Sequence, residues 1–389
     1  MNVLIAPMAA IAETSGPFSR AKALAIGLLQ KGHTPAFCAA KDINYQHVDG
    51  VEEYFAPIPS PMGLPMTIGK RAFGIAQRLG VQQRRKVCSF EEVLFIVGAI
   101  QERFFAEDVL AVRRAIQEFR PDVVYAEFRP AAIVAAKIEN VPVAISYSYP
   151  ARKAYASSPQ YSNGVKRFLR QQGLGDIESV LDIFEWADLK IVPSCYELEP
   201  IDDPKVVFTG PFTTPHISPP TRDRDKNAIV VYMGNGSITY PTQLSVLKRA
   251  FQGGTYQIYI ASYQANPADE NNIHVARRFD FKSIFPYAAA FINHGGQNSI
   301  LSGIMSGIPQ LIFPGNVFER QYNAHSIEKL GIGIGYSDAQ FQPSTLIQAV
   351  EEIRNNRSYI ENICRLQSRL ESLGGVDHAI QSISNLCSK

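Results

Sequence analysis

Short apolar runs alternate along this chain with longer amphipathic stretches whose apolar residues recur at helical spacing. A short apolar run is typical of a strand buried on both faces, and strands that alternate with helices form a parallel sheet covered on both sides. The first half of the chain therefore predicts one doubly wound α/β domain. Its expected strands lie at residues 3–5, 34–39, 123–126, 141–145, 190–193 and 206–211, and its expected helices at 18–31 and 130–139.

The alternation stops where Pro, Thr and charged residues follow one another without an apolar period. It then resumes with expected strands at 228–233, 256–261 and 290–293. A chain of 389 residues also exceeds the usual size of a single core. We therefore predict an N-terminal domain at 1–211, a linker at 212–227 and a C-terminal domain at 228–389, with the last helix free to pack back on the N-terminal domain.

The composition narrows the possible classes of protein. Hydrophobic residues make up 46% of the chain and charged residues 19%, which permits large cores and excludes a disordered chain. The net charge of +2 provides no general field for a polyanion, so we expect no nucleic-acid partner. The five cysteines are scattered and form no metal-binding spacing with the seven histidines, which predicts a reducing, cytoplasmic location and no bound metal.

Residues 291–299, with the sequence FINHGGQNS, are the most informative part of the chain. A helix that begins after Gly296 directs its first N–H groups and its positive dipole end toward the space above the turn. Gly295 and Gly296 let the backbone approach a ligand closely, and His294 adds a hydrogen-bond donor. The segment predicts a site for an anion such as a diphosphate. A structural turn with a satisfied histidine is the alternative.

A second glycine turn follows the expected strand at 228–233. In this turn the N–H groups of Gly234 and Gly236 and the hydroxyl of Ser237 are expected to face phosphate. An ordinary Asn-Gly turn without a ligand is the alternative.

Several ordered motifs together resemble the nucleotide-sugar glycosyltransferases, the family that includes antibiotic glycosyltransferases and the glucuronosyl- and plant glucosyltransferases. They are the His-x-Gly turn at 294–296, the Gly-x-Pro segment at 307–309 and an acidic residue shortly before Asn323 and Ala324. The resemblance is strong over residues 228–335 and weak in the N-terminal half. It implies the GT-B fold, in which two doubly wound Rossmann-like domains have parallel sheets facing a central cleft.

The resemblance also implies a donor site for a sugar carried on UDP or dTDP. It assigns the sugar hydroxyls to Glu319, whose alternative role is to cap the next helix. Arg320 replaces the family's usual Gln, which favours a donor with a carboxylate or a contact with the diphosphate. Arg278, with Phe279 beside it, stands near the place of the aromatic residue that stacks on the nucleobase. The predicted donor-binding residues are Gly234, Gly236, Ser237, Arg278, Phe279, His294, Gly295, Gly296, Asn298, Ser299, Glu319 and Arg320.

The catalytic base is the main departure from the family. The family's catalytic His falls on Pro17, which cannot accept a proton. We predict Glu127 as the substitute, because it follows the strand at 123–126 and burial would raise its pKa toward a useful range. Glu13, in the loop after the first strand, is the second choice. A surface carboxylate without a catalytic role is the alternative for both.

Together these residues predict an inverting glycosyltransferase that moves a sugar to a hydrophobic small-molecule acceptor. Backbone N–H groups that stabilise the leaving diphosphate would make a metal or other cofactor unnecessary. Residues 62–105 mix basic and apolar side chains, so a weak contact with a membrane surface and a lipid-linked acceptor form one alternative. The other is a nucleotide-sugar-binding protein that lost catalysis with Pro17.

Overall fold

The computed structural model describes residues 1–9, 16–61, 86–212, 226–234 and 236–388. These residues form two compact units, one containing the described residues up to 61, 88–212 and 370–388, and the other containing 86–87 and 226–369. Each unit is built on one mainly parallel sheet with helices, so the predicted pair of Rossmann-like α/β domains is confirmed. The parts of the predictions outside the described residues are Glu13, Asn235, residues 62–85 of the basic stretch and residues 213–225 of the linker.

The sheet of the first unit has the strand order β3-β2-β1-β4-β5-β6-β7, and its strands pair in parallel. Its strands are β1 (Asn2–Pro7), β2 (Thr34–Ala40), β3 (Glu52–Ala56), β4 (Val123–Glu127), β5 (Val143–Ser146), β6 (Leu189–Val192) and β7 (Val206–Phe208). The central strands β1, β4 and β5 are almost entirely buried, as their apolar sequences predict.

The sheet of the second unit has the order β10-β11-β9-β8-β12-β13-β14. Only the edge strand β10 pairs antiparallel among the strands described in this unit. The strands are β8 (Ala228–Tyr232), β9 (Gln257–Ala261), β10 (Ala268–Glu270), β11 (Ile273–Ala276), β12 (Ala288–Asn293), β13 (Gln310–Ile312) and β14 (Gly333–Gly335).

Helices cover the two sheets, and none of the described helices is both long and apolar enough to cross a membrane. The α-helices are α1 (Gly16–Gln30), α2 (Phe90–Ile96), α3 (Glu102–Phe119), α4 (Pro130–Ile138), α5 (Asn163–Gln171), α6 (Tyr240–Phe251), α7 (Phe281–Ile284), α8 (Gln297–Met305), α9 (Phe318–Lys329), α10 (Pro343–Asn355), α11 (Arg357–Ser372) and α12 (Gly375–Cys387). Short 3₁₀ segments lie at Tyr149–Ala151, Lys153–Tyr155, Pro159–Ser162, Val180–Trp186, Phe285–Tyr287 and Asp338–Gln340.

Helix α12 packs on α1 within the first unit. Ala379, Ile380 and Ile383 of α12 are buried in the same apolar cluster as Leu24 and Leu28 of α1. The two helices approach closely, since a Cβ on Gly27 of α1 would lie 2.5 Å from Val376 Cγ1. Residues far apart in the chain therefore complete the core of this unit.

Candidate functional site

The two predicted glycine turns follow neighbouring strands of the second unit. β8 ends at Tyr232 and β12 ends at Asn293, and these two residues are partners in the parallel register. Gly234 (φ +49°) and Gly295 (φ +80°) follow them in left-handed backbone conformations that favour glycine. The structure thus brings both segments together at the carboxyl edge of the sheet, where ligands bind in such folds.

Helix α8 begins directly after the turn at 294–296, as the sequence predicts. Its N-cap residue is Gly296, with φ −67° and ψ 141°, which as a glycine has no side chain to cap the helix. Asn298 and Ser299 occupy the second and third helical positions, and only 8% of Ser299 is exposed. The positive dipole end of α8 therefore lies beside the turn, which suits an anion.

A buried chain of amides holds the turn from within the sheet. Asn293 Oδ1 accepts a hydrogen bond from the Gly295 N–H at 2.8 Å, and Asn293 Nδ2 donates to Gln310 Oε1 at 2.9 Å. Gln310 Nε2 donates in turn to the carbonyl of Ile300 in α8, also at 2.9 Å. Gln310 was not among the predicted site residues, although a polar residue at the start of an apolar strand was a usable signal, and the structure buries it fully.

The other side of the same glycine contacts helix α9. Asn323 Nδ2 donates to the Gly295 carbonyl oxygen at 2.8 Å. A Cβ on Gly295 would lie 2.9 Å from Ile312 Cγ2 and 3.1 Å from the Arg320 carbonyl oxygen. Both the backbone conformation and the packing therefore require glycine at this position.

The imidazole of His294 lies between the two turns. A Cβ on Gly234 would approach its ring to 3.2 Å, and one on Gly296 would approach it to 2.9 Å. Burial, followed by the cation of Arg320, lowers the pKa of His294 to about 3, and the Tyr232 backbone opposes this only weakly. The Nδ1 atom is shielded from solvent and makes no hydrogen bond of good geometry to a described residue. The ring is neutral at physiological pH and carries one N–H to donate.

Ser237 lies against a third left-handed glycine. Gly315 has φ +61°, and a Cβ there would collide with Ser237 Oγ, so this position also requires glycine. The Gly236 N–H donates to the Met233 carbonyl at 2.7 Å. This N–H group closes the turn, whereas the sequence-based prediction had it facing a phosphate.

Glu319 and Arg320 lie in the first turn of α9. The N-cap residue is Val317, so Glu319 does not occupy the N-cap position, and as a residue of the first turn it places a carboxylate near the positive dipole end. Burial lowers the pKa of the Arg320 guanidinium, and the Glu319 carboxylate is the main opposing influence. The first turn of the helix that packs on Gly295 therefore carries one carboxylate and one guanidinium.

Arg278 contacts an aromatic residue that the sequence did not single out. Its Nη2 donates to Tyr263 Oη at 3.1 Å, and its guanidinium carbon lies 5.4 Å from the Tyr263 ring centroid. Phe279 meets Tyr259 edge to face, with centroids 5.5 Å apart. Tyr263 follows the end of β9, which was the available sequence signal.

Glu127 lies at the end of β4 in the first unit and has no solvent exposure. Its Oε1 accepts hydrogen bonds from Arg20 Nε at 2.9 Å and Nη2 at 2.6 Å, and its Oε2 accepts one from Tyr125 Oη at 3.1 Å. Burial raises the pKa of Glu127, although Arg20 opposes the shift. The expected elevated pKa is present, but the carboxylate faces protein groups and has no surface at which an acceptor could touch it.

A mainly apolar depression lies at the carboxyl edge of the first sheet. It encloses about 20 Å³ of space that water could enter and widens into open solvent. Asp108 and Arg129 form its charged part, and they neutralise each other through bonds of 2.5 Å and 3.1 Å. Its other lining residues are Pro7, Met8, Ala9, Ala40, Ala56, Pro57, Pro59, Leu94, Ala99, Phe104, Phe105, Pro130 and Ala131.

Across the described parts of the chain, no group of three or more His, Cys, Asp and Glu side chains is arranged to hold a metal ion.

The chain is similar to known proteins in both sequence and fold. Residues 264–374 match the family described as the erythromycin biosynthesis protein CIII-like C-terminal domain. The NDP-glycosyltransferase YjiC of Bacillus subtilis (strain 168) is 22% identical over 236 residues, which are 58% of this chain and 59% of that protein. The aligned part is therefore less than two thirds of that relative's own length.

Solved glycosyltransferase structures share the fold over the whole chain. CalG4, the calicheamicin glycosyltransferase, has a TM-score of 0.72 at 18% identity and covers 100% of this chain and 98% of its own. The spinosyn rhamnosyltransferase SpnG complexed with thymidine diphosphate has a TM-score of 0.70 at 15% identity and covers 99% of this chain and 100% of its own. At these identities the likeness shows a common fold.

Proposed function

We propose that this chain, which has the GT-B fold and the C-terminal sequence signature of the nucleotide-sugar glycosyltransferases, moves a sugar from a nucleotide diphosphate to an apolar small-molecule acceptor. The observation that carries the proposal is the turn at 294–296. Its backbone is held on both sides, and it leads into a helix whose N-cap residue is a glycine, with no side chain to occupy the helix start. Such a helix start is a ready site for a diphosphate.

The donor is proposed to bind along the carboxyl edge of the second sheet. Its diphosphate contacts the turn at 294–296 and the first residues of α8, including Asn298 and Ser299. Glu319 accepts hydrogen bonds from sugar hydroxyls, and Arg320 neutralises part of the diphosphate charge. A dTDP or UDP sugar is the proposed donor class, and the thymidine diphosphate named in the SpnG structure supports this choice.

The nucleobase is proposed to lie near Arg278. The guanidinium plane offers a stacking surface in place of the family's aromatic residue. Its contact with Tyr263 holds this plane at the end of β9.

The acceptor is proposed to lie at the mouth of the depression in the first unit. Its walls are mainly apolar, and its Asp108–Arg129 pair is internally neutralised. An uncharged, largely apolar molecule fits this chemistry better than a polyanion. The small molecules named in the CalG4 and SpnG structures, calicheamicin and spinosyn, support a small acceptor in preference to a lipid-linked one.

The chemistry is proposed to be a single displacement that inverts the anomeric carbon. The neutral His294 and the backbone donors of α8 stabilise the charge that develops on the leaving diphosphate, so no metal is required. Glu127 is enclosed by Arg20 and Tyr125, and we assign it to holding α1 against β4 in the described conformation. An acceptor that ionises readily would need no protein base.

Isothermal titration of the purified protein with UDP, dTDP, GDP and ADP tests the donor site. We expect one uracil or thymine nucleotide to bind, and His294→Ala to weaken that binding. His274→Ala is the matched control, because His274 lies in the same unit and bonds to Asp269 and Gln257 at its surface. Absence of binding by all four nucleotides would contradict the proposed donor site.

A turnover assay then distinguishes an enzyme from a protein that only binds the nucleotide sugar. Incubation with the matching nucleotide sugar and a panel of apolar acceptors is expected to give a glycoside of inverted anomeric configuration, identified by NMR. Tight nucleotide binding without product across the panel would instead favour a nucleotide-sugar-binding protein that lost catalysis with Pro17.

A further inference from the structure

Asn323 makes a contact between two segments that the sequence-based predictions treated separately. It lies in the middle of α9, the helix whose first turn carries Glu319 and Arg320. Its side chain is partly buried, and its Nδ2 donates to the carbonyl oxygen of Gly295 at 2.8 Å. The contact joins the helix assigned to the sugar with the turn assigned to the diphosphate.

Because of the geometry of the peptide bond, this contact also determines where the Gly296 N–H points. In a trans peptide the carbonyl and the N–H of the next residue point in opposite directions. When Asn323 holds the Gly295 carbonyl toward α9, it therefore directs the Gly296 N–H away from α9. The preceding peptide is held independently, because the Gly295 N–H donates to Asn293 Oδ1 at 2.8 Å.

A glycine needs such restraints more than any other residue. Gly295 has φ +80°, and without a side chain it populates positive and negative φ about equally when nothing holds it. Rotation of either peptide would turn the Gly296 N–H and change where α8 begins. The two asparagines therefore select one orientation of the turn from several that the backbone permits.

We propose that Asn323 is a positioning residue for the donor diphosphate: it fixes the Gly295–Gly296 peptide so that the turn is organised before the ligand arrives. The proposal rests on the proposed function, since it takes the turn at 294–296 as the diphosphate site. Asn323 touches the turn and acts through it. Pre-organisation improves affinity because the bound ligand does not have to order the backbone.

A second asparagine offers a closely matched control. Asn362 in α11 is also partly buried, and its Nδ2 donates to the carbonyl oxygen of Gly331 at 3.0 Å. Gly331 is likewise left-handed, with φ +62°. This asparagine–glycine pair lies in the second unit but belongs to no predicted binding segment.

The experiment compares Asn323→Ala and Asn323→Leu with Asn362→Ala. The leucine variant keeps most of the side-chain volume, so it serves if the alanine variant does not fold. Each protein is titrated calorimetrically with the nucleoside diphosphate that binds the unmodified protein, and its melting temperature is recorded. Thermal shifts with the corresponding nucleoside at millimolar concentration report binding that lacks the diphosphate.

We expect the Asn323 variants to bind the nucleoside diphosphate about tenfold more weakly, while their response to the nucleoside is unchanged. We expect Asn362→Ala to keep the full affinity even if its melting temperature falls as far. Unchanged affinity in the Asn323 variants would overturn the proposal, as would an equal loss in Asn362→Ala. If the unmodified protein bound no nucleoside diphosphate, the proposed donor site itself would fail, and this result is distinct from the other two.

Discussion

Asn293 and Gln310 hydrogen-bond to each other at 2.9 Å in a part of the second unit where neither side chain reaches solvent. Each amide uses its other end on the backbone of the candidate site, Asn293 on the Gly295 N–H and Gln310 on the Ile300 carbonyl. Two strands, one turn and one helix are thereby joined through a single chain of bonds. Partly satisfied networks of this kind are costly, which makes the pair a sensitive place to test the site.

Replacement of Gln310 by leucine is expected to destabilise the protein by about 1–3 kcal/mol, because the buried Asn293 amide loses its acceptor. Urea unfolding measures the loss, and titration with the bound nucleoside diphosphate is expected to show weaker binding. Asn272→Leu is the control, since Asn272 is also buried and donates to the Phe251 and Tyr256 carbonyls, which belong to no predicted binding segment. Wild-type stability in Gln310→Leu would contradict the role given to this amide.

Gly303→Ala is expected to disturb the same network from the side of α8. A Cβ on Gly303 would lie 2.5 Å from Gln310 Cδ and Nε2, so the amide must move or the helix must shift. Overpacking of this kind costs about 1–3 kcal/mol. Gly175→Ala is the control, because nothing lies within 4 Å of a Cβ there and its φ is not left-handed. Equal melting temperatures for the two variants would show that Gln310 can relocate freely.

The buried pair of Arg20 and Glu127 is expected to be essential to the first unit. Removing one partner leaves the other charge buried alone, which costs about 3–5 kcal/mol, so Arg20→Met and Glu127→Gln should both unfold at much lower urea concentration. Residual activity of the folded fraction then tests the predicted catalytic role. A base removed as Glu127→Gln would lower kcat by about 10²–10⁴. If kcat fell by this factor in Glu127→Gln but not in Arg20→Met, Glu127 would be the catalytic base.

His294 is expected to make stability depend on acidity. Its pKa is about 3 in the folded protein, whereas an unperturbed histidine has a pKa of 6.5, so the unfolded chain binds more protons between these values. The stability that the protein gains from a neutral, buried His294 is fully present above pH 6.5 and is lost as the pH falls toward 3. The free energy of unfolding of the unmodified protein should therefore decline across this window more steeply than that of His294→Ala. Parallel curves would mean that His294 titrates normally in the folded state.

Local sequence patterns were sufficient to predict the turn and the helix start that form the candidate site. The turn at 294–296 and the helix start after Gly296 could be predicted because glycine spacing and apolar periodicity are properties of neighbouring residues. The edge strand β10 could not, since all three of its residues are exposed and polar or small. Its position comes from pairing with β11, which no local pattern reports.

The partners of the buried polar side chains could not be predicted from the sequence. Glu127 was recognised as a residue at a strand end, but its partner Arg20 lies 107 positions earlier in the chain. Asn323 was noted only as part of a motif, and its contact with Gly295 spans 28 positions. Periodicity places residues on faces and edges, whereas the pairing of two buried polar groups depends on packing between elements.

The packing of α12 on α1 has a consequence for synthesis of the protein. Ala379, Ile380 and Ile383 complete an apolar cluster whose other buried members come from the first 212 positions. During translation the nascent first unit therefore exposes part of this cluster until residues 379–383 have emerged, whereas the apolar cluster on the other face of its sheet has no buried member beyond Ile201. One face of the first sheet can therefore be covered before the second unit has been synthesised, whereas the other face can be covered only afterwards.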